Sequence, residues 1–80
     1  MIETSYVVKV IAHNGGDSKL LESSDHETEL EALSYAFEYA HFIGKNKKGL
    51  NSFSVELHKR ETEDAGVTIS VKTVKVEVLP

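Results

Sequence analysis

The 80-residue chain contains no cysteine. This absence excludes a disulfide framework and any zinc site with thiolate ligands, and it is consistent with a reducing compartment. The chain also has no apolar run near the roughly 20 residues that cross a bilayer. Its first residues lack the basic and apolar regions of a signal peptide. We therefore expect a cytoplasmic protein that does not engage a membrane.

Positive charge is scarce in the first half of the chain. Residues 1–43 hold eight acids and two bases, a net charge of −6, whereas residues 44–80 hold five acids and seven bases, a net charge of +2. The total is −4. An acidic half joined to a mildly basic half does not indicate a nucleic-acid-binding domain by default.

Length and composition favour one small domain over residues 1–80. Apolar residues make up 40% and charged residues 28% of the chain, which argues against disorder. A domain of this size buries only about 60–65% of its unfolded surface, so its stability margin is thin, about 5 kcal/mol. Oligomerisation would supplement that margin.

Hydrophobic periodicity predicts two strands at the start of the chain. Residues 5–13 carry apolar side chains on both alternating faces, which is typical of a central strand. The sequence Asn-Gly-Gly-Asp at 14–17 predicts a turn, because Asn and Gly tolerate positive φ. Residues 18–23 are the expected return strand, although the adjacent Leu20 and Leu21 do not reveal which of them points inward.

An amphipathic helix is predicted next, from Ser24 or Asp25 as N-cap to about Ile43, with Gly44 as the stop. Its expected core stripe follows helical spacing: Leu30, Leu33, Ala36, Phe37, Ala40 and Ile43. The opposite face is acidic: Glu27, Glu31 and Glu38. Three aromatic residues at i, i+4 and i+7 flank the stripe, and we call them the aromatic edge: Tyr35, Tyr39 and Phe42.

The last third of the chain predicts a hairpin of residues 52–60 and 67–78. The second of these strands changes phase, because its first apolar residues and its last ones, Val74, Val76 and Val78, would face opposite sides. A one-residue slip near Lys72-Thr73 is required. Either a β-bulge absorbs the slip, or the three valines bury against a partner chain.

These elements predict an α+β fold of order ββαββ, with one amphipathic helix packed on one face of a mainly antiparallel sheet. No catalytic, cofactor or metal site is expected. His26 and His41 are fifteen positions apart, whereas a helical zinc pair needs i and i+4. The residues at 23–26 have the types of a hydrolase triad, but chain neighbours cannot supply its geometry.

The acidic face and the aromatic edge are the features that most favour binding to another protein. The leading hypothesis is a non-enzymatic protein-binding module, an inhibitor or regulator that occupies the basic groove of a nucleic-acid-handling protein. The acids would attract the partner and the aromatic edge would anchor it. The apolar residues left over in the last strand, Val74, Val76 and Val78, favour a homodimer.

Two other functions fit the sequence less well. One is weak nucleic-acid binding through a basic loop of Lys45, Lys47 and Lys48. No aromatic residue interleaves these lysines to stack on bases. The other is a small enzyme whose site forms only at a dimer interface.

Overall fold

The computed structural model describes residues 2–46 and 52–79. Its elements in chain order are β1 (Glu3–Asn14), β2 (Asp17–His26), α1 (Glu29–Asn46), β3 (Ser52–Thr62) and β4 (Thr68–Val78). The strands form one antiparallel sheet in the order β2-β1-β3-β4. One helix packed on a four-stranded antiparallel sheet confirms the predicted α+β fold of order ββαββ.

Strand β1 lies centrally, between β2 and β3, as its two apolar faces predict. Val8 pairs with Leu57 and Val10 pairs with Val55, and all four side chains are buried beneath α1. Val7 is buried as well, but on the other face, because successive side chains of a strand alternate. The core therefore lies between α1 and the two central strands.

The start of α1 differs from the prediction. Thr28 is the N-cap: its Oγ1 accepts a hydrogen bond of 3.2 Å from the backbone N–H of Glu31, and its carbonyl accepts one of 3.1 Å from Ala32. The predicted caps Ser24 and Asp25 lie in β2 instead. Both pair with β1 in the antiparallel ladder, and this pairing competes successfully with their capping propensity.

The helix also continues past Gly44, which the sequence predicts as its stop. Gly44 is helical and α1 ends at Asn46. A Cβ built on Gly44 would lie 3.9 Å from Cγ1 of Val78, so the last turn packs against β4. Continuing a helix through glycine costs about 1 kcal/mol relative to alanine.

The buried stripe of α1 is narrower than predicted. It consists of three alanines and one isoleucine: Ala32, Ala36, Ala40 and Ile43. Leu33 is half-buried at its margin. Leu30 and Phe37 were expected in the core, but they are 75% and 54% exposed. Because the alanines let α1 lie close to the sheet, the larger side chains extend beyond the contact.

A β-bulge resolves the phase change in β4. Leu57 pairs with Val74, but the next residue, His58, pairs with Lys72. Thr73 is therefore the extra residue, and its hydroxyl donates a hydrogen bond of 3.3 Å to the carbonyl of Leu57. The bulge turns the apolar residues on both sides of it toward the face that carries α1.

Strand β2 contains a second irregularity. Val10 pairs with Glu22 whereas Ile11 pairs with Leu20, so Leu21 is the extra residue. Leu20 thus lies beside Ile11 on the face opposite α1. The predicted return strand at 18–23 is confirmed, and it extends to both sides of that range.

The sheet extends beyond the helix that covers it. The longest dimension of the molecule is 46 Å, whereas a helix of 18 residues is about 27 Å long. At the uncovered end, the apolar side chains of Val67, Ile69 and Val71 are about half exposed. Strand β4, which carries two of them, is an edge strand.

Candidate protein-binding surface

The aromatic edge lies where α1 faces strand β2. The ring centroids of Tyr35 and Tyr39 are 5.7 Å apart, and those of Tyr39 and Phe42 are 6.1 Å apart. The ring of His26, from β2, continues the row at 4.9 Å from Tyr35. The structure thus brings together the three aromatic residues that the sequence groups, and adds a fourth ring from the sheet.

Glu22 of β2 anchors this row. Its Oε1 accepts a hydrogen bond of 2.6 Å from the hydroxyl of Tyr35, and Tyr39 also hydrogen-bonds its carboxylate. Beside it on the same face, Ser24 and His26 are joined by a hydrogen bond of 2.9 Å between Oγ and Nε2. Two phenols on one carboxylate bind the helix to the edge strand.

Sequence reasoning missed Glu22 as part of this surface. The signal is the alternation of Glu22, Ser24 and His26, which places all three on the face toward α1. That alternation could be recognised only with the end of β2 placed at His26. The predicted helix start at Ser24 or Asp25 removed Ser24 and His26 from the strand and left Glu22 without this pattern.

The shared carboxylate changes the titration of its neighbours. Hydrogen bonds from Tyr35 and Tyr39 lower the pKa of Glu22 from its ordinary value of 4.5. The hydrogen bond to Glu22, reinforced by partial burial, raises the pKa of Tyr39 to about 12. The pKa of Tyr35 is raised for the same first reason. At neutral pH the cluster therefore holds one negative charge and two protonated phenols.

An open groove of about 340 Å³ lies along the outside of the aromatic edge, and its lining consists of Tyr35, Glu38, Tyr39 and Phe42. Phe42 is 58% exposed, and Glu38 is exposed beside it. The groove thus combines apolar ring surfaces with one carboxylate at its border.

The three predicted acids do not share one helix face. Glu31 and Glu38 are exposed on α1 at i and i+7, but Glu27 lies in the bend before the helix. Glu27 is not helical because α1 begins after Thr28. Oε1 of Glu31 is 3.9 Å from Nδ1 of His26, which places this acid beside the first ring of the row.

The residues predicted for self-association pack against the core of their own chain. Val74, Val76 and Val78 are half-buried and pack against the core beneath α1. The bulge at Thr73 gives them this position. The exposed apolar residues of the last strand are instead those before the bulge, Ile69 and Val71.

The basic loop falls partly outside the described residues, which do not include Lys47 or Lys48. Lys45 is exposed in the last turn of α1, at the end of the sheet where Phe53 pairs with Val78. The bases of β3 at 59–60 lie toward the opposite end of that strand. The structure therefore keeps Lys45 apart from Lys59 and Arg60, so these bases do not form one positively charged patch with it.

Two polar clusters lie on the sheet face opposite α1. Glu56 binds Nε2 of His58 at 2.9 Å and Nζ of Lys72 at 3.1 Å. Burial raises the pKa of the Glu56 carboxyl, but the hydrogen bonds from these two residues outweigh it and the pKa is lowered. The contacts from His58 and Lys72 thus compensate for the burial of the Glu56 carboxylate.

The second cluster is centred on His13. Its Nε2 hydrogen-bonds Oγ of Ser54 at 2.7 Å, and its Nδ1 hydrogen-bonds Oγ of Ser18 at 2.9 Å. Ser54 is only 1% exposed, so a substrate could not reach its hydroxyl. A serine rather than a carboxylate orients the imidazole, so the arrangement differs from a hydrolase triad.

Residues 2–46 and 52–79 contain no group of three or more His, Cys, Asp or Glu side chains placed to hold a metal ion. Within the same part of the chain, no helix combines the length and the apolar character that a membrane span requires. Comparison with models of known protein families, with curated proteins and with solved structures found no match to this chain.

Proposed function

We propose that this chain is a non-enzymatic protein-binding module that occupies the basic groove of a nucleic-acid-handling protein, as an inhibitor or regulator. The observation that supports it most is the groove along the aromatic edge, which is open, lined by three rings and bordered by Glu38. Glu31 lies two turns away on the same helix. Ring surface and acid thus share one exposed flank of α1.

Charge and ring surface would contribute differently to such a complex. The first 43 residues carry a net charge of −6, and complementary potentials accelerate association with a basic surface and orient it. Tyrosine and phenylalanine are frequent anchor residues at interface centres because they bury a large area with few rotatable bonds. The aromatic edge has the composition of such an anchor.

The test is affinity capture from a lysate of the native host, followed by mass spectrometry and reconstitution with the purified partner. Reversing the acids at Glu27, Glu31 and Glu38 to lysine should abolish capture. A control with Glu3, Asp17 and Glu63 changed to lysine carries the same change in net charge at exposed positions near the ends of the sheet. It should retain capture.

A competing oligonucleotide completes this experiment. If the partner's nucleic-acid groove is the binding site, added oligonucleotide should displace the module, and the module should inhibit nucleic-acid binding by the partner. Capture that survives reversal of Glu27, Glu31 and Glu38 would show that the acids do not attract the partner. A ternary complex with nucleic acid would contradict occupation of the groove.

We also propose that the chain forms a homodimer, and the exposed edge of β4 supports this. An edge strand with exposed apolar side chains offers unpaired backbone groups to a second strand. Changing Ile69 and Val71 to lysine should reduce the molar mass measured by light scattering to that of a monomer. A wild-type chain that is strictly monomeric at high micromolar concentration would contradict the homodimer.

A further inference from the structure

We propose that the groove along the aromatic edge binds an arginine side chain of the partner and discriminates against lysine. This inference rests on the proposed function, because it assigns the chemistry of the residue that the partner inserts. The occupant is a basic protein segment that contains arginine. The groove residues are Tyr35, Glu38, Tyr39 and Phe42.

The spacing of the rings suits a cation. A guanidinium or ammonium group is attracted to an aromatic face when it lies within about 6 Å of the ring centroid. Neighbouring centroids in the aromatic edge are 5.7 Å and 6.1 Å apart. A single cation in the groove can therefore lie within this distance of two rings at once.

Glu22 strengthens this attraction from behind the rings. It accepts hydrogen bonds from Tyr35 and Tyr39, and a phenol that donates to an anion becomes more electron-rich at its oxygen and ring. The carboxylate also contributes its own negative charge. Because Glu22 does not line the groove, it is a source of potential rather than a direct partner for the ligand.

Glu38 is the direct partner. It is exposed at the border of the groove, and within the described residues no ion pair or side-chain hydrogen bond engages it. Its position on α1 is three residues after Tyr35 and four before Phe42, so the three side chains lie on one side of the helix. A cation over the rings can therefore also contact this carboxylate.

Geometry and hydration favour arginine over lysine at this place. A guanidinium is planar, so it can stack on a ring while two of its N–H groups donate to one carboxylate. An ammonium group is a compact and strongly hydrated charge that gains less from an aromatic face. The acidic first half of the chain disfavours a phosphate-bearing ligand in the same groove.

The experiment compares two short peptides of equal length and charge, one with arginine and glycine alternating and one with lysine and glycine alternating. Titration by calorimetry, with the tyrosine ring signals followed by NMR, measures affinity and locates the contact. We expect the arginine peptide to bind about three- to tenfold more tightly than the lysine peptide. The ring signals of the aromatic edge should shift.

Matched variants test which residues of the groove cause the preference for the arginine peptide. Phe42→Leu keeps an apolar side chain but removes the ring, and it should reduce the preference for arginine to about twofold or less. Phe37→Leu is the control, because it makes the same change at a similarly exposed residue, 54% against 58%, outside the groove. It should leave the preference intact. Glu38→Gln should weaken the arginine peptide more than the lysine peptide.

The outcomes separate this inference from the proposed function. Equal affinity for both peptides, lost when Glu27, Glu31 and Glu38 are reversed, would overturn the arginine preference and leave the acidic binding surface in place. Binding of neither peptide would overturn the arginine site, while partner capture would still decide the proposed function. A single-stranded oligonucleotide that binds the wild type but not Phe42→Leu would overturn the inference in favour of nucleic acid.

Discussion

Tyr35 and Glu22 join the helix to the edge of the sheet through a hydrogen bond of 2.6 Å from the phenol to the carboxylate. Thirteen positions separate them in the chain. An edge strand receives backbone hydrogen bonds from one side only, so β2 depends on such side-chain contacts for its second attachment. The same carboxylate holds Tyr39, and both phenols therefore have fixed positions along the groove.

Replacing Glu22 with glutamine should lower the pKa of Tyr39 from about 12 toward its ordinary value of 10.0. The reason is that an amide accepts a hydrogen bond without the negative charge that opposes ionisation of the phenol. Ultraviolet absorbance of tyrosinate during an alkaline titration measures this pKa. Glu38→Gln is the control, and a Tyr39 pKa that stays near 12 in Glu22→Gln would contradict the assigned cause.

The same pKa predicts a pH dependence of stability. The folded chain holds the Tyr39 proton more tightly than the unfolded chain, so the protonated phenol stabilises the fold. This contribution to the free energy of unfolding is fully present below about pH 10. It declines as pH rises toward 12. Urea unfolding across this range should show a smaller decline in Glu22→Gln than in the wild type. An equal decline in both would show that other groups account for it.

A pair of leucine substitutions tests the position of the core. Leu57 is 1% exposed beneath α1, whereas Leu30 is 75% exposed although the sequence predicts it in the core stripe. Leu57→Ala should reduce the free energy of unfolding by about 2–5 kcal/mol, and Leu30→Ala should change it by less than about 0.5 kcal/mol. Chemical denaturation measures both. Equal losses would contradict the narrow alanine contact of α1.

A second pair of substitutions tests where the helix begins. Thr28→Ala removes the Oγ1 that accepts the N–H of Glu31, and it should cost about 1 kcal/mol of stability. Asp25→Ala, at the cap that the sequence predicts, should have little effect because Asp25 is an exposed residue of β2. Thermal unfolding by circular dichroism measures both. A larger loss from Asp25→Ala would favour the earlier start.

Deleting Thr73 should leave the fold intact. Its neighbours Lys72 and Val74 already pair with His58 and Leu57, which are adjacent in β3, so deletion converts the bulge into a regular ladder. We expect a change in unfolding free energy of less than about 1 kcal/mol, measured in urea.

Deleting Lys75 removes one residue of the same strand and is the matched control. It shifts Val76 and Val78 to the face opposite α1, and it should cost roughly 3 kcal/mol or more. If the two deletions had the same effect, Thr73 would not be the extra residue.

Period-two alternation was sufficient to predict three of the four strands, the central position of β1 and the slip near Lys72-Thr73. Strand β2 was predicted from the turn before it, and the order of the strands in the sheet was not predicted. A slip of one residue moves every later side chain to the other face, so such a pattern is hard to mistake. The pattern could not decide between a bulge and a partner chain, because both bury Val74, Val76 and Val78.

The helix was harder to predict, since its boundaries depend on contacts that are distant in the chain. Ser24 and Asp25 are good caps by residue type, but pairing with β1 keeps them in β2. Gly44 was predicted to end the helix, but α1 continues to Asn46, and its last turn lies beside Val78. Helical spacing favoured Phe37 for the core stripe, whereas the close approach of the alanines leaves it 54% exposed.

The adjacency of β1 and β3 has a consequence for cutting the chain. Each of the two hairpins supplies one inner strand and one edge strand, so a cut between α1 and β3 leaves both fragments with an unpaired inner edge. We expect fragments 1–46 and 52–80 to remain unfolded when separate and to regain the circular dichroism of the intact chain when mixed. A fragment that folded alone would contradict this. At concentrations too low for the halves to associate on their own, halves fused to two other proteins would reassemble only when those proteins meet, and would thus report their proximity.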